Sequence, residues 1–446
     1  MRRRERLQQI IQAVGDRELV WFGIRGRDAE TLLTIPQFRS CFSITAPLEA
    51  GKLEDSASME ELTGHRVDLD AYDIDFDSRP EVGQLRRRIL SRLCRPAVVL
   101  TYRPSHFLTE AHFASIPRSS CLGMVKDRQN AFEHKPWVET ELVAAGVRTI
   151  PWRYVARDHL TAIERLVAEG PMIMRPSRTS GGEGVVLITE RDDVEAMWPH
   201  PDEHFVCVAP YLDRALPLNV GAVVWRDGTV SIHPASFQLI GIEGCTTRRF
   251  GYCGNDFAAI KALPYDLLEQ IDSAVNSIGR WLWTAGYIGA FGVDFLLDDD
   301  TLYFAEVNAR LQGSSAVSSV LAEGLEFPGV ILDHLAATLE LSSPSVRMSV
   351  ADWTGAIDAS SQVIIHSTVD VSVRLVEEVI PSRLGRLELA PRAPIRVDPG
   401  GVVARLLLEE QVTEDGFTLS SAVSEMVDSV RAALRPATET GNARDT

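Results

Sequence analysis

Apolar and polar positions divide the chain into three stretches. Up to about residue 120, strand-like apolar runs, ELVWFGI (18–24), CFSIT (41–45) and PAVVLTY (96–102), alternate with helix-period segments, ERLQQIIQAV (5–14) and EVGQLRRRILSRL (81–93). That alternation predicts an α/β layer with a parallel sheet over residues 1–120. Helices and strands continue over 121–345, punctuated by turn signals at TSGGEG, WRDGT and LDDDT. After LSSPS (341–345) the pattern becomes short strand-like runs, QVIIHST, VSVRLVEEVI, PIRVD and VVARLLLEE, followed by one helix, LSSAVSEMVDSVRAALR. This predicts a separate α+β domain over 346–436, and the polar residues 437–446 read as a disordered tail.

Within the middle stretch, TLYFAEVNARLQGSS breaks the strand pattern. Leu302, Phe304, Glu306, Asn308 and Arg310 share one strand face, which turns abruptly from apolar to polar. Upstream, GVDFLL and the turn Asp298–Asp300 make a hairpin with this strand, placing Asp294 opposite Glu306 to within a residue or two. Two carboxylates and an amide converge there. Unmetallated, the carboxylates would repel, and this donor set suits a hard cation such as Mg²⁺. A solvated strand end is the alternative reading.

Two further segments carry candidate chemistry. PMIMRPSRTSGGEGVVLI (171–188) reads as strand, glycine-rich turn, strand. Gly181, Gly182 and Gly184 let backbone N–H groups approach an anion, and Arg175 adds positive charge. The segment is neither a P-loop nor a Rossmann fingerprint, and a plain hairpin turn is the bland alternative. In HKPWVETELVAAG, Lys135 opens a helix that Gly146 closes, a position where the helix dipole gains nothing from a cation. GIEGCTTRRFGYCGND (241–256) reads as a cover loop carrying Arg248 and Arg249, or as a solvated loop. GIRGRD (23–28) reads as a strand-to-helix turn, with a part in a substrate pocket as the alternative. His106, His233 and Trp283 read as structural.

Bulk composition narrows the function classes. The chain has 446 residues, enough for two or three domains. Its formal net charge of -17, from 62 acidic and 45 basic residues, argues against a generic nucleic-acid or anionic-membrane binder. The six cysteines lack zinc or redox spacing, so a reduced, cytoplasmic setting is expected. No apolar run approaches membrane-span length, and the basic start with LQQIIQAV reads as an amphipathic helix.

The joint spacing of Lys135, Gly146, Arg175, the glycine loop, Asp294 in GVDFLL and Glu306, Asn308 and Arg310 in EVNAR resembles the ATP-grasp superfamily over residues 126–320. The resemblance implies an ATP-grasp core over 121–345, with a lid at about 150–210, between the preceding α/β domain and the extra C-terminal α+β domain. It implies ATP and Mg²⁺ as cofactors. Asp294, Glu306 and Asn308 would bind the metal; Lys135, Arg175, Ser180, Gly181, Gly182 and Gly184 the phosphates; Pro210, Tyr211 and Leu212 the adenine. Arg310 would face the acyl phosphate or substrate carboxylate, with Ser314, Arg248 and Arg249 also on substrate. Two positions depart from the pattern. Ala209 stands where an acidic or amide residue is usual, and Arg175 where lysine is usual.

The domain layout and RPSRTSGGEGV are most similar to stand-alone peptide ligases of the kind found in pheganomycin biosynthesis. That closer resemblance implies a small carboxylate and a peptide amine as substrates, with no nucleic acid or membrane partner, and a homodimer as the default assembly. A carboxylase-type enzyme acting on biotin and a nucleotide-binding module without catalysis are the rival readings.

Overall fold

The computed structural model describes residues 2–48, 51, 53–109, 118–190, 192–375, 385–391 and 393–437. The first stretch builds a five-stranded, all-parallel sheet in the order Asp55–Ser58, Phe38–Thr45, Glu18–Arg25, Ala97–Thr101, Ser120–Cys121. Its central strands are apolar throughout because helices or neighbouring layers cover both faces. Leu19 and Trp21 pack with Ile10 and Val14 of the helix Arg3–Val14. Their neighbours Val20 and Phe22 point the other way, onto Val82, Leu85 and Ile89 of Pro80–Arg92. Each such fully buried side chain contributes about 1.5–3 kcal/mol.

An antiparallel sheet ordered Arg153–Ala156, Phe205–Pro210, Met172–Pro176, Val186–Ile188 forms a small layer with its own core, built on Val155, Met174, Val206 and Trp198. The largest sheet has eight antiparallel strands, in the order Thr301–Asn308, Gly289–Asp298, Leu216–Val224, Val230–Ile240, Tyr252–Asp256, Ser361–His366, Val402–Leu408, Gly385–Glu388. The helix Tyr265–Thr284 covers one of its faces, setting Leu268, Ile271, Val275 and Ile278 against Phe291 and Val293.

The segment expected to stand as a separate α+β domain shares this sheet. Gly254 pairs with Val363 and Asp256 with Ser361, so the C-terminal strands continue the ladder that begins at the 294–306 hairpin. Pairing there removes an exposed edge from Tyr252–Asp256. A further sheet joins the ends of the molecule, running Leu434–Pro436, Val373–Leu375, Arg396–Val397, His65–Arg66. The strand reading of residues 376–380 and the tail from 438 onward lie outside the described residues. No described helix is long and apolar enough to cross a membrane.

Candidate active site

The strands Gly289–Asp298 and Thr301–Asn308 form the predicted hairpin, with Asp294 directly paired to Glu306 and Gly292 to Asn308. Behind Asp294, the neighbouring strands supply amide donors. Asn219 Nδ2 and Gln238 Nε2 both donate to Asp294 Oδ1, at 2.6 and 3.0 Å. Asn219 is itself held by Gln312, whose Nε2 donates to Asn219 Oδ1 at 3.1 Å, and by Ser314 Oγ at 2.8 Å. Gly292 makes room for this arrangement, since a Cβ there would meet Gln312 Oε1 at 1.9 Å. Burial, reinforced by the facing Glu306, pushes the Asp294 carboxyl up to about 7 despite the two amides.

Surplus negative charge in a partly buried hairpin is what a divalent cation relieves, and two carboxylates suit Mg²⁺ when phosphate oxygens supply further ligands. Asn308 adds a neutral oxygen, which accepts a 2.9 Å bond from Arg310 Nη2. Among the described residues no group of three or more His, Cys, Asp or Glu side chains is placed to hold a metal. The donor set therefore fits a metal that arrives with an anionic ligand better than a closed structural site.

Cations flank the carboxylates. Lys135, first residue of the helix Lys135–Ala144, is buried; its Nζ lies 3.1 Å from Glu306 Oε2 and donates to the Thr179 carbonyl at 3.2 Å. It thereby ties the acidic strand to the glycine loop. Arg310 donates from Nε to Glu133 Oε1 at 2.9 Å and from Nη1 to the Leu311 carbonyl at 3.2 Å. Burial works to raise the Glu133 carboxyl, but Arg310, helped by Gln129 and Arg103, holds that carboxyl below the usual range. Arg175 is oriented more tightly than a lysine could be. Its Nη2 bonds Glu139, its Nη1 reaches the Ala305 carbonyl at 3.3 Å, and its guanidinium lies 3.7 Å from the centre of the Trp152 ring.

These groups line one cavity of about 350 Å³ between the three sheets, in the range of small-molecule sites. Lys135, Arg175, Ser180, Gly181, Gly182, Asp294, Glu306, Asn308, Arg310 and Ser314 all reach its wall, as do Pro210, Tyr211 and Leu212. The apolar part carries Ile150, Trp152, Ile173 and Leu296. Tyr211 N–H donates to the Pro171 carbonyl at 3.0 Å, which leaves Leu212 as the donor this turn can present. Ala209 is buried and off the wall.

Three expected site residues are placed elsewhere. Gly184 packs over Pro176, outside the cavity wall. Arg248 turns away to Asp68 and Asp70, because two carboxylates of the first stretch stand within ion-pair distance. Arg249 lies over Tyr211 and Phe250. Neither arginine is on the cavity wall, which the loop 241–256 reaches through Phe250, Tyr252 and Asn255.

Several wall residues carried no sequence prediction: Asn219, Gln238 and Gln312 behind Asp294, and Tyr102 and Arg103 at the far side; Arg25 beside them belongs to GIRGRD, whose alternative reading is a part in a substrate pocket. Gln312 sits four residues past Asn308 in the stretch that raised the metal reading. Arg103 and Gln238 had no local signal.

Comparisons with known proteins bear on the fold that carries this cavity. A family model described as "ATP-grasp domain" matches residues 135–314. The formate-dependent phosphoribosylglycinamide formyltransferase of Prochlorococcus marinus is 24% identical over 212 residues, 45% of this chain and 49% of that protein. The chain therefore spans about half the length of that curated relative. Among solved structures, the biotin carboxylase domain of Hydrogenobacter thermophilus 2-oxoglutarate carboxylase, in complex with MgADP, ADP and bicarbonate, superposes with a TM-score of 0.61 at 14% identity, covering 94% of this chain and 90% of that one. The N5-carboxyaminoimidazole synthase of Aspergillus clavatus, in complex with ADP and its ribonucleotide, gives 0.60 at 13% identity over 93% and 99%. The chain thus has the ATP-grasp fold, and the ATP-grasp domain model covers its residues 135–314.

Proposed function

We propose that the protein is an ATP-dependent carboxylate–amine ligase working through an acyl phosphate. The observation that carries the reading is the single cavity in which Asp294 faces Glu306, Lys135 bridges Glu306 to the glycine loop, and Arg310 stands two residues beyond Asn308. A carboxylate resists amines because its leaving group would be oxide. Transfer of the ATP γ-phosphoryl group onto it creates a phosphate leaving group, and the amine then displaces phosphate to give an amide, ADP and phosphate.

In this reading Asp294 and Glu306, joined by Asn308, hold Mg²⁺, which neutralises phosphate charge when bound. Lys135 and the amides of Ser180, Gly181 and Gly182 face the phosphates, and Arg175 fixes the wall beside them. Pro210 and Leu212 offer a carbonyl and an N–H to adenine, with Ile173 and Leu296 alongside. Arg310, pre-oriented by Glu133, presents its remaining edge to the substrate carboxylate. The acid is an amino-acid derivative and the acceptor the N-terminal amine of a peptide; the resemblance to stand-alone peptide ligases supports that choice. Intact metal donors weigh against a module without catalysis.

The test is a product mass scan with ATP, Mg²⁺, pooled carboxylates and pooled peptides. Amine-dependent ADP and phosphate, with a hydroxamate when hydroxylamine replaces the peptide, is the expected result. AMP formation, or no nucleotide turnover with any mixture, would sink the ligase reading.

A further inference from the structure

At the far side of the cavity two arginines come from adjacent strands of the parallel sheet. Glu18–Arg25 pairs with Ala97–Thr101 in register, Phe22 opposite Thr101, so Arg25 and Arg103 both emerge at carboxyl ends of neighbouring strands. Those ends are where open parallel sheets receive ligands. Arg25 is 5% exposed and engages Asp28 through Nε at 2.9 Å, while its Nη2 is buried without a partner. Arg103 donates from Nη2 to the Tyr72 carbonyl at 2.9 Å and has no ion pair among the described residues. Burial and the nearby Arg310 work against its charge, Asp73 and Glu133 offset only part of this from beyond ion-pair distance, and Arg25, Arg103 and Arg310 all bear on the Tyr102 hydroxyl.

A cation confined beside other cations, with carboxylate partners for only two of the three, is costly unless an anion completes the corner. Lys135 and the glycine loop already serve the phosphate end, and Arg310 the reacting carboxylate. We infer that the small-molecule substrate carries a second anionic group, a carboxylate or a phosphate, held by Arg25 and Arg103 while Arg310 faces the carboxylate that reacts. This rests on the ligase reading and narrows its substrate class to small dianionic acids.

The test compares matched ligands on the full chain with ATP and Mg²⁺: short dicarboxylates (succinate, glutarate, aspartate, glutamate), phosphorylated hydroxy acids and the corresponding monocarboxylates. Binding is read by calorimetry and turnover by ADP release. The expected result is that at least one dianion class binds about 10- to 100-fold tighter than its monoanion, the factor a charge-assisted hydrogen bond gives. The two dianion arms separate a second carboxylate from a phosphate. Arg103→Gln should erase that difference, leave ATP affinity within about twofold, and be partly rescued by Arg103→Lys. Equal binding of mono- and dianions by the wild type, or loss of ATP affinity in Arg103→Gln, overturns the assignment. Turnover of monocarboxylates alone would also overturn it while sparing the ligase reading; dianion binding without any ADP release would do the reverse.

Discussion

Asp294 and Glu306 stand directly opposite one another on the hairpin, and Asp294, with burial as the larger cause and Glu306 as the second, titrates near pH 7. In the proposed role of metal ligand, a carboxylate half-protonated at neutral pH would make metal binding compete with a proton. Mg²⁺-nucleotide affinity should therefore fall about tenfold per pH unit below 7 and level off above it. Calorimetric titration at pH 6, 7 and 8 checks this, and a flat profile would contradict the metal role of Asp294. Neutralising the neighbour should shift the profile: in Glu306→Gln the midpoint moves to lower pH while turnover is abolished and the fold stays intact.

The same shift has a stability consequence of opposite sign to the usual carboxylate. Because Asp294 holds its proton more tightly folded than unfolded, the unfolded state loses a proton first as pH rises from about 4 to 7. The ligand-free protein should lose stability across that window. Asp294→Asn removes the effect, retaining an oxygen to accept from Asn219 and Gln238. At pH 8 the variant should melt about 2 °C or more above wild type and lose on the order of 10³-fold in kcat. A lowered melting point would mean that the carboxylates do not repel in the folded protein.

Much of this hairpin was legible because its information is local. Side-chain alternation fixes which of Phe304, Glu306 and Asn308 share a face, and a short acidic turn fixes the register to Asp294. The placement of Arg248 was not legible, because it meets Asp68 and Asp70 across some 180 residues of sequence separation. Arg25 and Arg103 likewise share the cavity wall only because two parallel strands pair, and no periodicity names a strand's partner. The same limit hid the shared sheet: QVIIHST reads as a strand, yet its place beside Tyr252–Asp256 is a tertiary choice.

Variants at Arg310 separate its proposed part in substrate recognition from its part in stability. Arg310→Lys keeps the charge that Glu133 needs but loses the planar fork toward a carboxylate. The expected outcome is a KM for the acid raised about 10- to 100-fold, with KM for ATP unchanged in initial-rate measurements. Arg310→Ala leaves the Glu133 carboxylate unpaired beside the cavity and should lower stability by about 3 kcal/mol or more in denaturant unfolding. An Arg310→Lys variant with wild-type KM for every acid would remove Arg310 from the substrate.

The glycine loop offers a test of closure that leaves the acidic residues untouched. Gly182 has φ 75° and sits against the loop 241–256, so that a Cβ would lie 2.0 Å from the Phe250 carbonyl oxygen. Alanine there meets both a left-handed backbone, worth about 1–2 kcal/mol, and a backbone clash that no side chain can yield to. The loop must then lift from Phe250, carrying Thr179 and the Lys135 contact with it. Gly182→Ala should raise KM for ATP about tenfold or more and lower kcat, while melting within a few degrees of wild type. Gly184→Ala shares the positive φ, at 67°, but meets the Pro176 ring at 3.0 Å and Pro199 Cβ at 3.5 Å, and lies off the cavity wall. It should lose stability by a similar backbone cost yet keep KM for ATP close to wild type. Equal kinetic damage in the two variants would mean that loop flexibility in general, and not the seat of Gly182 on Phe250, governs nucleotide binding.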